Sequence, residues 1–122
     1  MKTFRQLQVW QKAHELTITT YQMTRPFPTE ERFGLVQQMR RAAVSVAANI
    51  AEGHQRTSKQ EFRRFLDIAH GSLAELQYYV LLTQDLDYLT ESAPSTILKV
   101  SDEVGKMLHG LKRHINQEVR HG

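Results

Sequence analysis

The side chains best suited to bind an anion are six basic residues near the middle of the chain: Arg40, Arg41, Arg56, Lys59, Arg63 and Arg64. Arginine is favoured for phosphate because its planar guanidinium donates two parallel hydrogen bonds. Seven positive and two negative residues lie between Arg32 and Arg64, a local charge of +5, while the whole chain carries +3. This distribution predicts either a surface that binds RNA or DNA, or an ordinary solvated basic face.

The two adjacent arginines, Arg63 and Arg64, set a limit on that surface. Neighbouring residues of a helix point about 100° apart. We therefore do not expect both side chains to serve one narrow site.

A second polar group, Asn49, Glu52 and His54, lies near the end of the segment that begins with Arg40. A carboxylate beside a histidine can perform general acid–base chemistry where both converge on a pocket. The sequence supplies no accompanying nucleophile or oxyanion site, so hydrogen bonding that fastens the chain here is the favoured interpretation. We predict a protein that is not an enzyme and has no catalytic residues.

The six histidines raise the question of a metal site. No two of them have the His-x-x-x-His spacing that helical zinc sites use. His109 and His114 are five residues apart, which is a poor helical pairing. We predict no metal site and no cofactor.

The composition is that of a single globular domain spanning residues 1–122, with 40% hydrophobic and 24% charged residues. The absence of cysteine excludes disulfides and thiolate metal sites, and it fits a reducing cytoplasm. No apolar run approaches the roughly 18 residues of a membrane helix, so no membrane association is expected. The polar N-terminus does not indicate a secretory signal.

Apolar residues recur at spacings of three and four, which indicates helices and not strands. Prolines near residue 27 and a glycine at residue 53 interrupt the pattern. The predicted helices span about 4–24, 29–53, 58–85 and 92–118. Four amphipathic helices with short connections predict an all-α, antiparallel up-down-up-down four-helix bundle.

The helix ends carry their own signals. Thr29 is a predicted N-cap, and Gly53 is a predicted C-terminal stop. Ser58 and Glu61 have the spacing of a capping box at the start of the third helix. Folding the second and third helices about this turn predicts that Ser45 lies near Leu66. By the same register Asn49 lies near Phe62, and Arg40 lies near Gly71 to Glu75.

The third helix has a wider apolar surface than one bundle needs, with Ile68, Tyr79 and Leu82 beside its main row. Tyr78 and Tyr79 diverge by about 100°, so one of them is expected to point away from the core. A helix with surplus apolar surface is typical of a subunit interface.

Three stretches carry a family resemblance: VWQKAHEL, FPTEERFGLVQQMRRAAVSVAANIAEGHQR and EFRRFLDIAHGSLAEL. Together they resemble the 23S rRNA intervening-sequence protein family, also called four-helix bundle proteins. The match runs from about Phe4 to Leu89. Its most specific elements are NIAEG, which includes Asn49, Glu52 and Gly53, and a motif with Gly71, Ser72 and Glu75.

The resemblance implies a four-helix bundle assembled as a homopentamer, with no agreed enzymatic activity. A related branch, the accessory variability determinant of diversity-generating retroelements, is a basic pentamer that associates with nucleic acid and a reverse transcriptase. The motif residues Asn49, Glu52, Gly53, Gly71, Ser72 and Glu75 are interpreted as structural, through helix-terminal and inter-helix packing.

Two functions remain open from the sequence. The first is a non-enzymatic oligomer that binds RNA or DNA through its basic surface. The second is a protein-interaction adaptor or scaffold, for example for a reverse transcriptase, without direct nucleic-acid binding. The local charge of +5 favours the first, and the wide apolar surface of the third helix favours the second.

Overall fold

The computed structural model describes residues 3–89 and 93–121, and within them it is all-helical. Four α-helices form the fold: α1 Gln8–Thr24, α2 Leu35–His54, α3 Lys59–Asp85 and α4 Ala93–His121. Short 3-10 turns, Phe4–Gln6 and Thr29–Glu31, precede α1 and α2. The predicted four-helix bundle is confirmed.

Each helix packs on its neighbours in sequence, and α1 also packs on α4. Contacts between the helices show the antiparallel course. Between α1 and α2, Thr17 contacts Ala43, and the later Thr24 contacts the earlier Arg40. Between α3 and α4, Asp67 contacts Lys112, and the later Gln77 contacts the earlier Ser101. The chain therefore runs up, down, up and down around one core.

The core consists of the apolar stripes that the spacing of three and four produces. Its largest buried side chains include Leu16, Met39, Ile50, Leu66, Leu73, Leu76, Ile97 and Leu108. Trp10 and Phe62 are only partly buried at its margin. Trp10 instead stacks on His14, with ring centroids 5.1 Å apart.

The start of the second helix differs from the prediction. Thr29 begins a 3-10 turn without a side-chain cap, and α2 begins six residues later at Leu35. Gly34 separates the two with φ −110° and ψ −106°, which is not a helical conformation. The acidic residues after Thr29 belong to the 3-10 turn, not to the first turn of α2.

The third helix begins as predicted, because Ser58 Oγ accepts a hydrogen bond from the Glu61 backbone N–H at 3.1 Å. The predicted role of Gly53 as a C-terminal stop is wrong. Gly53 is buried within α2, and the helix continues to His54. A Cβ on Gly53 would lie 2.7 Å from Phe65 Cβ and 2.9 Å from Phe62 Cδ1, so glycine is required here by close helix packing.

The predicted register between α2 and α3 is also wrong by six residues on the α3 side. Ser45 Oγ forms a 2.8 Å hydrogen bond with Ser72 Oγ, not a contact centred on Leu66. The reason lies in the connection. Hydrogen bonds from Gln55 N to Glu52 O and from Arg56 N to Gly53 O carry the chain a further turn beyond α2 before it reverses at Ser58.

Candidate nucleic-acid interface

The structure divides the six predicted basic residues into two groups. Arg40 and Arg41 lie in the first half of α2, and Arg56, Lys59, Arg63 and Arg64 surround the start of α3. The two groups lie at different levels along the bundle. Because α2 and α3 are antiparallel, the first half of α2 lies beside the part of α3 near residue 72 and not beside the start of α3. They do not form one compact site.

The Arg40 side chain contacts α1 and does not approach Glu75 as predicted. Its Nε donates to Thr24 Oγ1 at 2.9 Å, its Nη2 donates to the Tyr21 carbonyl at 3.2 Å, and its guanidinium lies over the Tyr21 ring. Its neighbour Arg41 is exposed and lines a small polar pocket with Glu75. The antiparallel offset therefore brings Arg41, not Arg40, close to Glu75.

Three of the residues around the start of α3 have carboxylate partners. Arg56 pairs with Glu52 at 2.9 Å, Arg64 pairs with Glu61 at 3.0 Å, and Lys59 pairs with Glu118 on α4. These pairs remain at the surface. Exposed ion pairs of this kind contribute about 0–1 kcal/mol, so a phosphate can compete for the cation.

Two aromatic contacts hold the paired arginines in place. The guanidinium groups of Arg56 and Arg64 both lie over the Phe65 ring, 4.7 and 4.8 Å from its centroid. Hydrogen bonding with Arg64 lowers the pKa of Glu61, and hydrogen bonding with Lys59 lowers the pKa of Glu118. Both carboxylates therefore stay charged at neutral pH, and the local positive charge is partly neutralised.

Arg63 is the exception within this group. It has no carboxylate of the described residues within 4.0 Å, and its Nε is buried without a hydrogen-bond partner there. Arg63 and Arg64 border the same shallow groove between α3 and α4, with Asn116 and Val119 on the opposite side. The expectation that they do not both serve one narrow site stays a prediction, because this groove is shallow and open.

The groove continues along the contact between α3 and α4, a surface that we call the α3–α4 seam. Its α3 side includes Arg63, Arg64, Asp67 and His70, and its α4 side includes Asp102, Lys106, His109, Lys112 and Arg113. On α3 the residues Arg63, Asp67 and His70 follow one another at spacings of four and three, and on α4 the same spacings join Asp102, Lys106, His109 and Arg113, so each set shares one face. Five of these seam residues are Lys or Arg, and two are Asp.

Sequence reasoning missed the α4 half of this surface. Lys106, Lys112, Arg113 and Arg120 all lie in the second half of α4, with Glu118 as the only acidic residue among them. The excess of positive charge there is visible in the sequence. The antiparallel pairing that places it beside Arg63, about 50 residues earlier, requires the fold.

The predicted structural motif residues form a polar cluster between α2 and α3, apart from the seam. Asn49 Nδ2 donates to the carbonyl and the hydroxyl oxygen of Ser45 at 2.8 and 3.0 Å, and Ser45 in turn bonds to Ser72. Tyr79 donates to Glu75 Oε2 at 3.0 Å, which raises the pKa of Tyr79. The Ser45–Ser72 hydrogen bond joins α2 and α3, whereas the bonds of Asn49 and Tyr79 each lie within one helix. Gly71 differs from the others, because a Cβ there meets nothing within 4 Å.

The possible acid–base group does not assemble. Asn49 bonds to Ser45, Glu52 pairs with Arg56, and the His54 ring lies edge-on to Phe62 with centroids 5.8 Å apart. Each side chain has a different partner, so they do not converge on a pocket. In the parts of the chain that the structure describes, no three His, Asp or Glu side chains are grouped to hold a metal ion.

The described helices include none that is long and apolar enough to cross a membrane. Several apolar side chains are nevertheless exposed on α3. Tyr78 is 58% exposed and Leu81 is 54% exposed, and Ile68, elsewhere on the helix, is 41% exposed. Tyr78 is the tyrosine that points away from the core, as predicted for one of the pair.

Comparison with known proteins agrees with the resemblance seen in the sequence. A family model described as the 23S rRNA-intervening sequence protein matches residues 5–110. A similar solved structure is a protein of unknown function from the S23 ribosomal protein family of Bacteroides thetaiotaomicron VPI-5482. It is 27% identical, covers 86% of this chain and 95% of its own, and superimposes with a TM-score of 0.76. No curated protein matches the chain. Neither the family model nor the solved structure is described as an enzyme.

Proposed function

This chain belongs to the 23S rRNA-intervening sequence protein family, and we propose that it is a non-enzymatic, oligomeric helical bundle that binds RNA or DNA through a basic surface. The surface begins at Arg56 and Lys59 and follows the α3–α4 seam. We expect it to act in the cytoplasm, which the absence of cysteine supports.

The observation that carries this proposal is the set of unpaired cations along the seam. Arg63, Lys106 and Arg113 have no carboxylate of the described residues within 4.0 Å. A cation that already has a protein partner loses that partner when it binds phosphate, whereas an unpaired cation loses only water and counterions. Three such residues along one face are therefore available to a polyanion.

Oligomerisation strengthens this function. A single seam offers few phosphate contacts, and each exposed contact is weak. In a symmetric ring, such as the homopentamer that the family resemblance implies, one copy of the seam per subunit engages the same strand. Linked contacts of this kind raise the overall affinity well above that of one subunit.

A salt titration tests the proposal. Fluorescence anisotropy with labelled single-stranded RNA, and separately with duplex DNA, should show binding at low salt that weakens linearly on a log–log plot as salt increases. Binding should depend little on nucleotide sequence, because phosphate contacts carry no sequence information. Absence of binding to both probes at low salt would contradict the proposed function.

The second candidate, a protein-interaction adaptor, rests on the exposed apolar face of α3. Tyr78 and Leu81 are large, exposed and one turn apart. Purification from cells after nuclease treatment separates the two functions. An adaptor retains its protein partner under those conditions, whereas a partner joined through nucleic acid is lost.

A further inference from the structure

The widest part of the α3–α4 seam is an open groove of about 570 Å³. On α3 it is lined by His70, Leu73 and Gln77, and on α4 by Asp102, Gly105, Lys106, His109, Gly110 and Arg113. Leu73 gives it an apolar wall, and its α4 side carries the two cations Lys106 and Arg113 against one carboxylate, Asp102. This combination suits a ligand with a charged backbone that lies along the seam.

Two glycines, Gly105 and Gly110, leave space on the α4 side of the groove because they have no side chain. A Cβ on Gly110 meets nothing within 4 Å, and a Cβ on Gly105 lies 3.5 Å from Leu73 Cδ2, an ordinary contact. Helix packing therefore does not require glycine at either position. Glycine within a helix is less favourable than alanine by about 1 kcal/mol. Alanine at these two positions would therefore make the helix more stable without a packing conflict.

The two unpaired cations in the groove have a defined spacing. Lys106 and Arg113 are seven residues apart on α4, which places them on one face and about 10.5 Å apart along the helix axis. Neighbouring phosphates of one strand lie closer together than this, and both cationic side chains are long and exposed. Both cations can therefore contact phosphates of the same strand.

His70 of α3 and Lys112 of α4 meet at one edge of the groove. Lys112 Nζ lies 2.7 Å from His70 Nδ1 and 3.2 Å from Asp67 Oδ1. An ammonium group has no acceptor, so His70 Nδ1 must accept this hydrogen bond, and the imidazole is neutral with its proton on Nε2. The charged and titratable residues that face His70 from α4 are Asp102, Lys106, His109, Lys112 and Arg113. On α3, Asp67 lies one turn before His70.

We propose that this groove is a phosphodiester-binding subsite, in which Lys106 and Arg113 contact phosphates of one strand of RNA or DNA. The inference rests on the proposed function and deepens it, because it assigns strand contact to α4 residues that sequence reasoning missed. Burial, with the charges of Lys112 and His109, lowers the pKa of His70. A bound phosphate adds the opposite charge and raises that pKa, so the subsite takes up a proton on binding and binds more tightly at lower pH.

The first experiment removes the two cations. Lys106→Gln/Arg113→Gln is compared with Arg25→Gln/Arg32→Gln, an equal loss of charge beside the loop between α1 and α2. Anisotropy titrations with labelled oligouridine and oligothymidine distinguish RNA from DNA. We expect the groove variant to bind about tenfold more weakly and to lower the salt slope by about 1.4, the value for two lost single-strand phosphate contacts. The control should retain the wild-type slope.

The second experiment uses His70→Asn, which keeps a hydrogen-bond acceptor near Lys112 but cannot titrate. Wild-type affinity should increase from about pH 8 to about pH 5.5, the range of imidazole protonation. His70→Asn should match the wild type at the higher pH and lose most of the increase, whereas His14→Asn should retain it. Full retention of the increase by His70→Asn would contradict the proton linkage.

The outcomes separate this inference from the proposed function. If the wild type binds neither these single strands nor duplex DNA, the proposed function fails. If the wild type binds but the groove and control variants weaken equally, the function stands and the subsite assignment is wrong.

Discussion

Gly53 shows how a single residue determines the approach of two helices. Its missing side chain lets α2 pass against the Phe62 and Phe65 side chains, and even a methyl group there would lie 2.7 Å from Phe65 Cβ. Both neighbours belong to the first turns of α3, where backbone movement would also disturb the Ser58 cap. The NIAEG motif is therefore explained at this position by close packing.

We predict that Gly53→Ala lowers the free energy of unfolding by about 1–3 kcal/mol, as overpacked core substitutions do. Gly71→Ala is the matched control, since both glycines lie within helices but a Cβ on Gly71 meets nothing within 4 Å. That variant should be more stable than the wild type by about 0.5–1 kcal/mol. Urea denaturation measures both, and equal effects would show that the close approach at Gly53 is not real.

His70 makes the stability of the fold depend on pH. Its pKa lies below the ordinary value of 6.5, first because of burial and then because of Lys112 and His109. The unfolded chain therefore binds a proton at higher pH than the folded chain does. Stability from this group is complete above about pH 6.5 and decreases as the pH falls below it.

We predict that urea denaturation shows a loss of stability as the pH falls below about 6.5, and that His70→Asn reduces this loss. Glu61 and Glu118 do not confuse the measurement, because their lowered pKa values place their effects below 4.5. His14→Asn should show the wild-type dependence. An unchanged loss in His70→Asn would assign the effect to another group.

At the scale of the helix, the start of α3 combines a structural and a proposed binding role. Ser58 caps it, Phe65 anchors it in the core, and Arg63 and Arg64 border the seam. The two arginines contribute little to the core, because Arg64 pairs at the surface and Arg63 has no ion-pair partner among the described residues. Binding and folding are therefore separable in this helix.

We predict that Arg63→Glu/Arg64→Glu weakens nucleic-acid binding strongly while the far-UV circular dichroism spectrum stays helical. Charge reversal places two carboxylates beside a phosphate backbone, which repels it. Arg25→Glu/Arg32→Glu provides the same charge change at a distant position. Equal loss of binding in both variants would indicate attraction by net charge alone, without a local surface.

The α2–α3 contact shows why the helix registry was harder to predict than the helices themselves. The hydrogen-bonded pair Ser45 and Ser72 fixes the offset, and Asn49 completes the cluster. Nothing in the apolar stripes distinguishes this offset from one a turn or more away, since the stripes repeat at every turn. The extra turn at residues 55 and 56 decides it.

For the whole molecule, the unexplained feature is the apolar outer face of α3. Tyr78 and Leu81 are each more than 50% exposed on this face, although α3 already buries a complete core stripe. We expect this face to bury itself against another subunit. Association through it would also bring several α3–α4 seams into one particle, as the proposed function requires.

We predict that Tyr78→Glu/Leu81→Glu lowers the particle mass measured by multi-angle light scattering, without loss of helicity. Burying a charge in an apolar interface without a partner is strongly unfavourable. Gln22→Glu/Gln37→Glu, two exposed changes on α1 and α2, is the control and should keep the wild-type mass. A monomeric wild type would contradict the oligomeric part of the proposal.

The sequence by itself determined the helical class, the approximate helices and most of the core, including Met39, Leu66, Leu73 and Leu108. It did so because burial of an apolar stripe is a local pattern, repeated every three or four residues within each helix. The Ser58 cap was predictable for the same reason. The family motifs could also be recognised from the sequence alone.

Only the tertiary structure decided how distant residues meet. In the structure Arg40 contacts α1, and Arg41 lies close to Glu75. Gly53 allows close helix packing. Lys106 and Arg113 lie in one seam with Arg63. Each of these facts depends on the offset and facing of antiparallel helices. That offset is set by turn length and by a few inter-helix contacts, which the repeating apolar pattern within a single helix does not contain.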